Sequence, residues 1–256
     1  MGSDMVHVER DGAIAICHLD RPPANAVDIA FVDRMAEMFE RVLAKDDVGA
    51  VVLTGKGAFF SGGLDLKAVP AYGPEEQRAL IEKVNAMVTR IYGFPRPVVA
   101  AVNGHAVAAG LILMLTADYR VGTDAPCKIG LTEARVGIPF PAGPMEVLKA
   151  EVTPHVARVL ALEARNIGPA AALEKGLLDE LQPPGRVLPR ALEVARDLAG
   201  IPSEAYRRIK RQLRGDTLAR MEAIVAERSD PMLEAWIPPG AAEASAAVLR
   251  GTGGGG

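Results

Sequence analysis

Apolar and polar positions along this chain follow two different periods, and each period predicts its own kind of element. Short apolar or alternating runs at 6–8, 13–17, 48–53 and 98–102 predict strands. The turn Asp11-Gly12 lies between the first two runs and predicts a β-hairpin. Further short strands are expected at 119–121 and 127–131. The β-rich part of the chain is predicted to end near residue 181, before a helical module.

Helical spacing of apolar residues predicts the other elements. Asp28 is the expected N-cap of an amphipathic helix, and residues 74–92 form a second one. A third helix starts at Ala108 and carries no charge before Asp118, so we expect it to be buried on every face. After these, the pattern predicts helices at 153–164, 169–175, 186–199, 203–214 and 217–235.

Length and composition limit the domain organisation and the partners. The 256 residues, 49% hydrophobic and 24% charged, are typical of an ordinary globular protein with a substantial core, and the predicted strands and helices make the expected fold class α/β. We expect a core domain at 1–185, a helical region at 186–250 and a disordered glycine tail at 251–256. A net charge of -3 argues against binding to nucleic acid or to an anionic membrane.

Cysteine and histidine usage bears on compartment and metal binding. Cys17 and Cys127 lie in apolar runs without metal-ligand spacing, which predicts reduced thiols and a cytoplasmic protein. His7 and His18 lie in or beside the predicted hairpin, where surface or packing roles are expected. No metal site is therefore predicted, and no apolar run is long enough to span a membrane.

Two segments resemble each other and suggest a ligand site. VVLTGKGAFFSGGLDL (51–66) and VVAAVNGHAVAAGLIL (98–113) align without gaps, which predicts two similar turns that face one pocket. The small residues from Ala108 to Gly110 allow a ligand close to a helix N-terminus, where N–H groups lack intrahelical partners. Such a place can hold a partly negative oxygen, although a tightly packed crossover remains the alternative at this stage.

A single acidic residue is the candidate for proton transfer. Glu133 lies between an apolar strand and the proline-rich loop IPFPAGP (138–144). A partly desolvated carboxyl there would have a raised pKa suited to moving a proton. The alternative is that Thr132 and Glu133 open a helical turn that faces water.

Five motifs occur in an order and spacing that resemble the crotonase (enoyl-CoA hydratase/isomerase) superfamily. They are RPPANAV (21–27), FFSGGLDLK (59–67), AVNGHAVAAG (101–110), ADYRVG (117–122) and IGLTEARVGI (129–138). The resemblance implies ββα repeats that form a spiral core, with a C-terminal helical region used for trimerisation. It also implies an acyl-CoA thioester as substrate, no separate cofactor, and a homotrimer or a hexamer built as a dimer of trimers.

The resemblance also implies roles for individual residues. The backbone N–H groups of Leu64 and Ala109 match the oxyanion hole of the family, where donors are set in place before an enolate oxygen develops. Lys67 matches a position near the CoA phosphates. The positions expected to bind substrate are Arg21, Ala24, Gly63, Lys67, Gly110 and Ile112.

The departure from the family pattern lies at Ile112. Hydratases of this family have two glutamates, whereas this chain keeps the one that matches Glu133 and has isoleucine at the other position. Addition of water needs a positioned nucleophile and a supplied proton, a task that the family divides between two acids. One acid can instead move a proton from C2 to C4, so the chain is expected to resemble the Δ3,Δ2-enoyl-CoA isomerases.

Three alternatives remain open at this point. A hydratase could recruit an acid from another loop, with Asp65 nearby, although an N-cap role is expected for that residue. A pseudoenzyme could bind acyl-CoA without turnover. A serine hydrolase is the third, because Ser61 and His105 are both expected to border the pocket.

Overall fold

Two β-sheets form the frame on which the helices pack. The computed structural model describes residues 5–234, 236–237, 243 and 246–247. The strands are β1 (Val6–Asp11), β2 (Ile14–Leu19), β3 (Ala50–Gly55), β4 (Phe59–Ser61), β5 (Val98–Val102), β6 (His105–Val107), β7 (Tyr119–Thr123), β8 (Ile129–Gly130), β9 (Asn166–Ile167) and β10 (Glu180–Gln182). The helices are α1 (Ile29–Leu43), α2 (Pro74–Tyr92), α3 (Ala109–Leu115), α4 (Glu133–Val136), α5 (Ala142–Glu151), α6 (Pro154–Arg158), α7 (Pro169–Glu174), α8 (Val187–Ala199) and α9 (Ser203–Glu227).

The larger sheet has six strands in the order β1-β2-β3-β5-β7-β10, and only its edge hairpin β1–β2 is antiparallel. The smaller sheet has the order β4-β6-β8-β9. Each of β3, β5 and β7 is followed in the chain by a short strand of the smaller sheet and then by helix. The predicted ββα repeat is therefore present, and the chain has the mixed α/β architecture expected from its sequence.

The predicted repeat is confirmed in the larger sheet and altered in the smaller one. β3 pairs with β5 in parallel, with Val51 opposite Val98, which is the register of the gapless alignment. In the smaller sheet Phe59 lies opposite His105 and Ser61 opposite Ala106, with an irregularity between them. Strand β4 thus accommodates one extra residue. The residues of the two turns that lie opposite each other are therefore not the ones that the sequence alignment pairs.

The core lies on both faces of the larger sheet. One face packs against α1, α2, α3 and α5, and its buried side chains include Phe31, Phe39 and Ile81. The other face packs against α8, whose Ala191 and Val194 contact the strands. The boundary at residue 185 remains a prediction, and α8 beyond it covers this second face. Within the described residues, no helix is both long and apolar enough to cross a membrane.

Most predicted helices agree with the structure. Asp28 caps α1 by accepting a hydrogen bond from the amide of Phe31 at 2.8 Å. The residues of α3 from Gly110 onward are buried, as the absence of charge predicted. Cys17 is buried and Cys127 half-buried, and both thiols are free, as expected.

Three predictions were wrong. The helix expected from Ala108 starts one residue later, after the short strand β6. The proline-rich loop expected at 138–144 ends at Pro141, and residues 142–151 form the helix α5, which was not predicted. Pro144 is compatible with this helix because it lies in the first turn, where a missing N–H disrupts no intrahelical bond. The predicted helices 203–214 and 217–235 are one continuous helix that ends at Glu227, and the glycine tail at 251–256 lies outside the described residues.

Candidate active site

An apolar pocket opens between α2, α3 and the loop after α4. Its lining is made of aliphatic, aromatic and proline side chains together with one carboxylate, that of Glu133. The lining residues are Val27, Leu64, Val84, Met87, Val88, Ala109, Ile112, Leu113, Glu133, Ile138, Pro139, Phe140, Pro141, Pro144 and Trp236. Among these described residues Glu133 is the only ionisable one. The pocket therefore suits an apolar ligand on which one acid or base acts.

Glu133 is buried at the first position of α4, with 7% of its surface exposed. Its Oε2 accepts a hydrogen bond from the amide of Thr132 at 2.8 Å. Burial raises the pKa of the Glu133 carboxyl to about 7, and hydrogen bonds from the backbone only partly oppose this effect. The alternative in which this residue faces water is wrong, because the loop 138–144 and Trp236 enclose the pocket around it.

Leu64 and Ala109 both line this pocket, and their N–H groups are available to a ligand. Val27 donates from its N–H to the carbonyl of Gly63 and accepts at its own carbonyl from the amide of Asp65, so the N–H of Leu64 points away from Val27. Ala109 is the first residue of α3, where an N–H has no intrahelical acceptor. In the part of the chain that the structure describes, no protein oxygen accepts a hydrogen bond from either N–H.

The two turns that carry these amides are in direct contact. Gly63 has φ +84, and a Cβ placed there would lie 2.6 Å from the Cβ of Ala108 and 3.1 Å from the amide nitrogen of Ala109. A Cβ on Gly110 would overlap the carbonyl of Ser61. Ala108 itself has φ 55, a conformation that costs a non-glycine residue about 1 kcal/mol or more. Glycine at 63 and 110 therefore allows the contact, and strain at Ala108 is stored next to the site.

Asn25 holds the loop of RPPANAV against this region. Its buried side chain donates from Nδ2 to the carbonyls of Lys56 and Phe59, at 3.1 and 2.9 Å, and accepts at Oδ1 from the amide of Arg21 at 2.9 Å. The carbonyl of Ala24 accepts a hydrogen bond from the amide of Gly62 at 2.8 Å. The loop that precedes α1 is thereby fixed to β4, the strand that leads into the turn that contains Leu64.

Arg21 and Lys67, both expected near CoA, differ in their surroundings. The Arg21 guanidinium donates to the carbonyl of Ala26, to Asp28 and to Asp65, at 2.7, 2.7 and 2.8 Å. It thus crosslinks the loop to the start of α1 and to the turn that contains Leu64. Lys67 is exposed, and within the described residues its side chain forms no ion pair. Of the two side chains, that of Lys67 is the more accessible to a phosphate.

Asp65 is not the helix N-cap that the sequence suggested, because the next helical segment is a 3₁₀ turn (Val69–Ala71) whose N-cap residue is Ala68; Asp65 instead stabilises the turn before it. Its Oδ1 accepts hydrogen bonds from the amides of Lys67 and Ala68, and its Oδ2 binds Arg21. Burial opposes ionisation of Asp65, but these hydrogen bonds outweigh it and lower the pKa. A carboxylate held in this way is a poor source of protons, and Asp65 does not line the pocket.

Ile112 lies one turn into α3, is 2% exposed, and lines the pocket together with Ala109 and Glu133. The position where a second acid would stand is therefore a hydrocarbon wall. Among the residues that line the pocket, there is therefore no second acid that could bind and activate water opposite Glu133.

Ser61 and His105 do not border the pocket, contrary to expectation. The buried hydroxyl of Ser61 donates to the carbonyl of Asn25 at 2.8 Å and accepts from the amide of Gly63 at 3.3 Å. His105 accepts at Nδ1 from the amide of Lys128, and its ring packs at a tilt of 48° against Phe59. Among the described residues these two side chains share no hydrogen bond, so a serine hydrolase finds no support here.

Trp236 is the lining residue that sequence reasoning missed. It is 1% exposed, and its indole N–H donates to the carbonyl of Pro139 at 2.6 Å. Asp230, also buried, anchors the segment by accepting hydrogen bonds from Asn85 and from the amide of Ala142 at the start of α5. A lone tryptophan near the chain end was the available signal, but its contact with Pro139 spans 97 positions of sequence.

Comparison with known proteins defines the class. A family model described as enoyl-CoA hydratase/isomerase matches residues 9–236, nearly the whole of the described chain. The chain belongs to the enoyl-CoA hydratase/isomerase family and has the crotonase-like fold that its motifs suggested. It is accordingly an enzyme of an acyl-CoA-processing family.

Individual relatives carry out different reactions. Carnitinyl-CoA dehydratase of Escherichia coli K12 is 32% identical over 197 residues, which cover 77% of this chain and 75% of that protein. An enoyl-CoA hydratase from Mycobacterium marinum matches with a TM-score of 0.82 at 30% identity and covers 91% of this chain and 100% of its own. Human mitochondrial Δ3-Δ2-enoyl-CoA isomerase matches with a TM-score of 0.89 at 25% identity and covers 97% and 98%. Similarity establishes the family, and the choice of reaction rests on the site.

Proposed function

We propose that this protein moves the double bond of a 3-enoyl-CoA to the 2-position, with Glu133 as the only proton carrier. The observation that carries the proposal is the pocket lining, in which Glu133 is the one ionisable side chain among the described residues and Ile112 occupies the second position. An apolar wall also prevents water from intercepting a reactive intermediate.

The proposed reaction proceeds in two proton transfers. The Glu133 carboxylate removes a proton from C2, and the electron pair extends through the C3–C4 double bond as a thioester dienolate. The N–H groups of Leu64 and Ala109 donate hydrogen bonds to the thioester oxygen as its negative charge develops. The Glu133 carboxyl then returns the proton to C4, which leaves the double bond between C2 and C3.

The pKa of Glu133 supports this double role. One group that acts first as base and then as acid works best when its pKa lies near the working pH, and burial raises the pKa of Glu133 to about 7. Removing one donor of an oxyanion hole typically costs about 3 kcal/mol of transition-state stabilisation, so the two amides carry much of the rate.

The test is a paired substrate assay on the full chain. The 3-enoyl-CoA and the 2-enoyl-CoA of equal chain length are supplied to the wild type and to Glu133→Gln, which keeps an acceptor for the Thr132 amide. We expect isomerisation by the wild type and about a 10²- to 10⁴-fold slower reaction in the variant. Glu163→Gln removes an exposed carboxylate instead and is the matched control.

Two outcomes would contradict the isomerase proposal. If the 2-enoyl-CoA gains the mass of one water as fast as the 3-enoyl-CoA isomerises, the protein is a hydratase, the second candidate that the names of its relatives favour. If acyl-CoA esters bind tightly and none of them reacts, the protein is a binding protein that has kept the pocket without turnover.

The proposal includes assembly as a homotrimer or as a dimer of trimers. Ile209 and Leu213 lie one turn apart on α9 and are 55% and 82% exposed, so an apolar strip faces outward on the C-terminal helical region. Native mass spectrometry is expected to show three or six copies, and a monomer at micromolar concentration would contradict this part of the proposal.

A further inference from the structure

A cluster of three potential metal ligands lies on the edge hairpin, on a part of the sheet that the acyl-CoA chemistry does not use. His7 and His18 are directly opposite each other in the β1–β2 ladder, and Glu9 follows His7 by two residues. Directly opposed residues share one face of a sheet, and so do residues two apart on a strand. All three side chains therefore project from the same face.

This face is the one that α8 covers farther along the strands. Ile14 of β2 packs in the core under α8, and His18 lies two pleats away on the same face. The alternate residues Cys17 and Leu19 belong to the main core on the opposite face. The cluster is thus separated from the Glu133 pocket by the sheet itself.

The ligand atoms are already close together. His18 Nε2 lies 3.3 Å from one oxygen of Glu9, and His7 Nε2 lies 3.9 Å from the other. All three ligand atoms fall within 4.8 Å of one another. Bonds of about 2.0–2.2 Å to a tetrahedral zinc ion place its ligands about 3.4 Å apart, so the ligand atoms must move closer together by about an ångström. The His7 ring must also turn out of its stack on His18, because the in-plane lone pairs of parallel rings do not converge on one ion.

The buried nitrogen of His18 points to a ligand. His18 is 9% exposed, and among the described residues its Nε2 has no hydrogen-bond partner, although Glu9 lies beside it. A buried polar atom without a partner is costly, and a metal ion would satisfy it.

The surroundings suit a divalent cation. Asp20 lies 4.0 Å from Nδ1 of His7 and adds a negative charge beside the cluster. Lys56 pairs with Asp20 at 2.7 Å, so two carboxylates and one ammonium leave the cluster with a charge of -1 when both histidines are neutral. The imidazole rings stack at 4.9 Å, which holds both on the same side of the hairpin.

We propose that His7, Glu9 and His18 bind one Zn²⁺ ion through two imidazole nitrogens and one carboxylate, with water at the fourth position. Three protein ligands of this kind are a recurrent zinc donor set, and the exposed side of Glu9 leaves room for the water. The proposal reverses the expectation that His7 and His18 are only surface or packing residues. It does not depend on the acyl-CoA reaction.

The test is Zn²⁺ binding to the full chain after treatment with a chelator, measured by competition with a chromophoric zinc indicator. We expect one Zn²⁺ per chain in the micromolar range, and about tenfold or more weaker binding in both His18→Ala and Glu9→Gln. Glu9 is 61% exposed, so its substitution leaves the fold intact. His155→Ala removes an exposed histidine outside the cluster and is expected to bind like the wild type.

Co²⁺ and thermal unfolding give independent readouts. Tetrahedral Co²⁺ is expected to show visible d–d bands in the wild type that are lost in Glu9→Gln, and Zn²⁺ is expected to raise Tm in the wild type alone. Binding that is equal in the wild type and Glu9→Gln, or that needs millimolar Zn²⁺, would overturn the proposal. Isomerase activity has no part in either result.

Discussion

Replacing Glu133 by glutamine tests whether the acid of the site is held in a desolvated pocket. Glutamine has nearly the same shape and can accept the hydrogen bond from the Thr132 amide, so the main change is the loss of a titrating group. Its effect on stability should therefore depend on pH in a way that only a buried carboxyl produces.

The size of the effect follows from the two pKa values. Burial raises the pKa of Glu133 from its ordinary 4.5 to about 7, which corresponds to about 3 kcal/mol of free energy. Between these values the folded chain binds more protons than the unfolded chain, so the free energy of unfolding falls as pH rises through this window. The loss is complete above the folded pKa and absent below the unfolded one, and about 2–3 kcal/mol of stability is lost between pH 5 and pH 8.

Urea unfolding followed by circular dichroism at several pH values measures this difference at constant protein concentration. The stability of Glu133→Gln relative to the wild type is expected to increase by about 2–3 kcal/mol from pH 5 to pH 8. Glu163→Gln controls for the loss of one exposed negative charge. A difference between Glu133→Gln and wild type that stays constant to within about 0.5 kcal/mol would refute the reasoning, because the carboxyl would then titrate as in water.

The remaining predictions concern the turns, the acyl end of the pocket and the CoA end. Gly63→Ala is expected to lower kcat about 10²-fold or more, because its Cβ would push against Ala108 and displace the Ala109 amide. Gly57→Ala is the control: Gly57 also has a positive φ (+74) but open space around it, so this substitution should cost only about 1 kcal/mol of stability. Trp236→Ala is expected to raise kcat/KM for longer acyl chains relative to shorter ones, because it shortens one wall of the pocket. An increase in kcat/KM for short chains alone would contradict this prediction. Lys67→Ala should raise KM for the CoA thioester about two- to fivefold and leave KM for a pantetheine thioester without nucleotide phosphates unchanged. Equal effects on the two esters would show that Lys67 does not contact a phosphate.

Elements with a strong one-face pattern were predictable because local interactions define them. Helix α2 runs over 74–92 as its apolar spacing indicated, and Asp28 caps α1 as a side chain of its type at that position predicts. Strand β5 also has the predicted bounds, since a short apolar run between turn signals is buried on both faces of a parallel sheet. The amides of Leu64 and Ala109 were predicted as donors from the family resemblance, and the small residues next to them leave room for a close approach.

Elements stabilised by distant partners were not predictable in the same way. The short strands β4, β6 and β9 exist because they pair with one another or with β8, and two or three residues carry too little pattern to be recognised alone. The continuity of α9 through Gly215 likewise depends on packing against α2 and α5 and not on local propensity.

The sequence by itself determined the family motifs, the acid at 133, the hydrocarbon at 112 and the order of the longer strands and helices. Only the tertiary structure decided that Glu133 is buried among apolar walls, that Trp236 closes them, that Ser61 lies outside the pocket, and that His7, Glu9 and His18 meet on one face. The physical reason is that a pKa, a pocket wall or a ligand set depends on groups brought together from distant parts of the chain. Periodicity and motif spacing report only what neighbours along the chain do to one another.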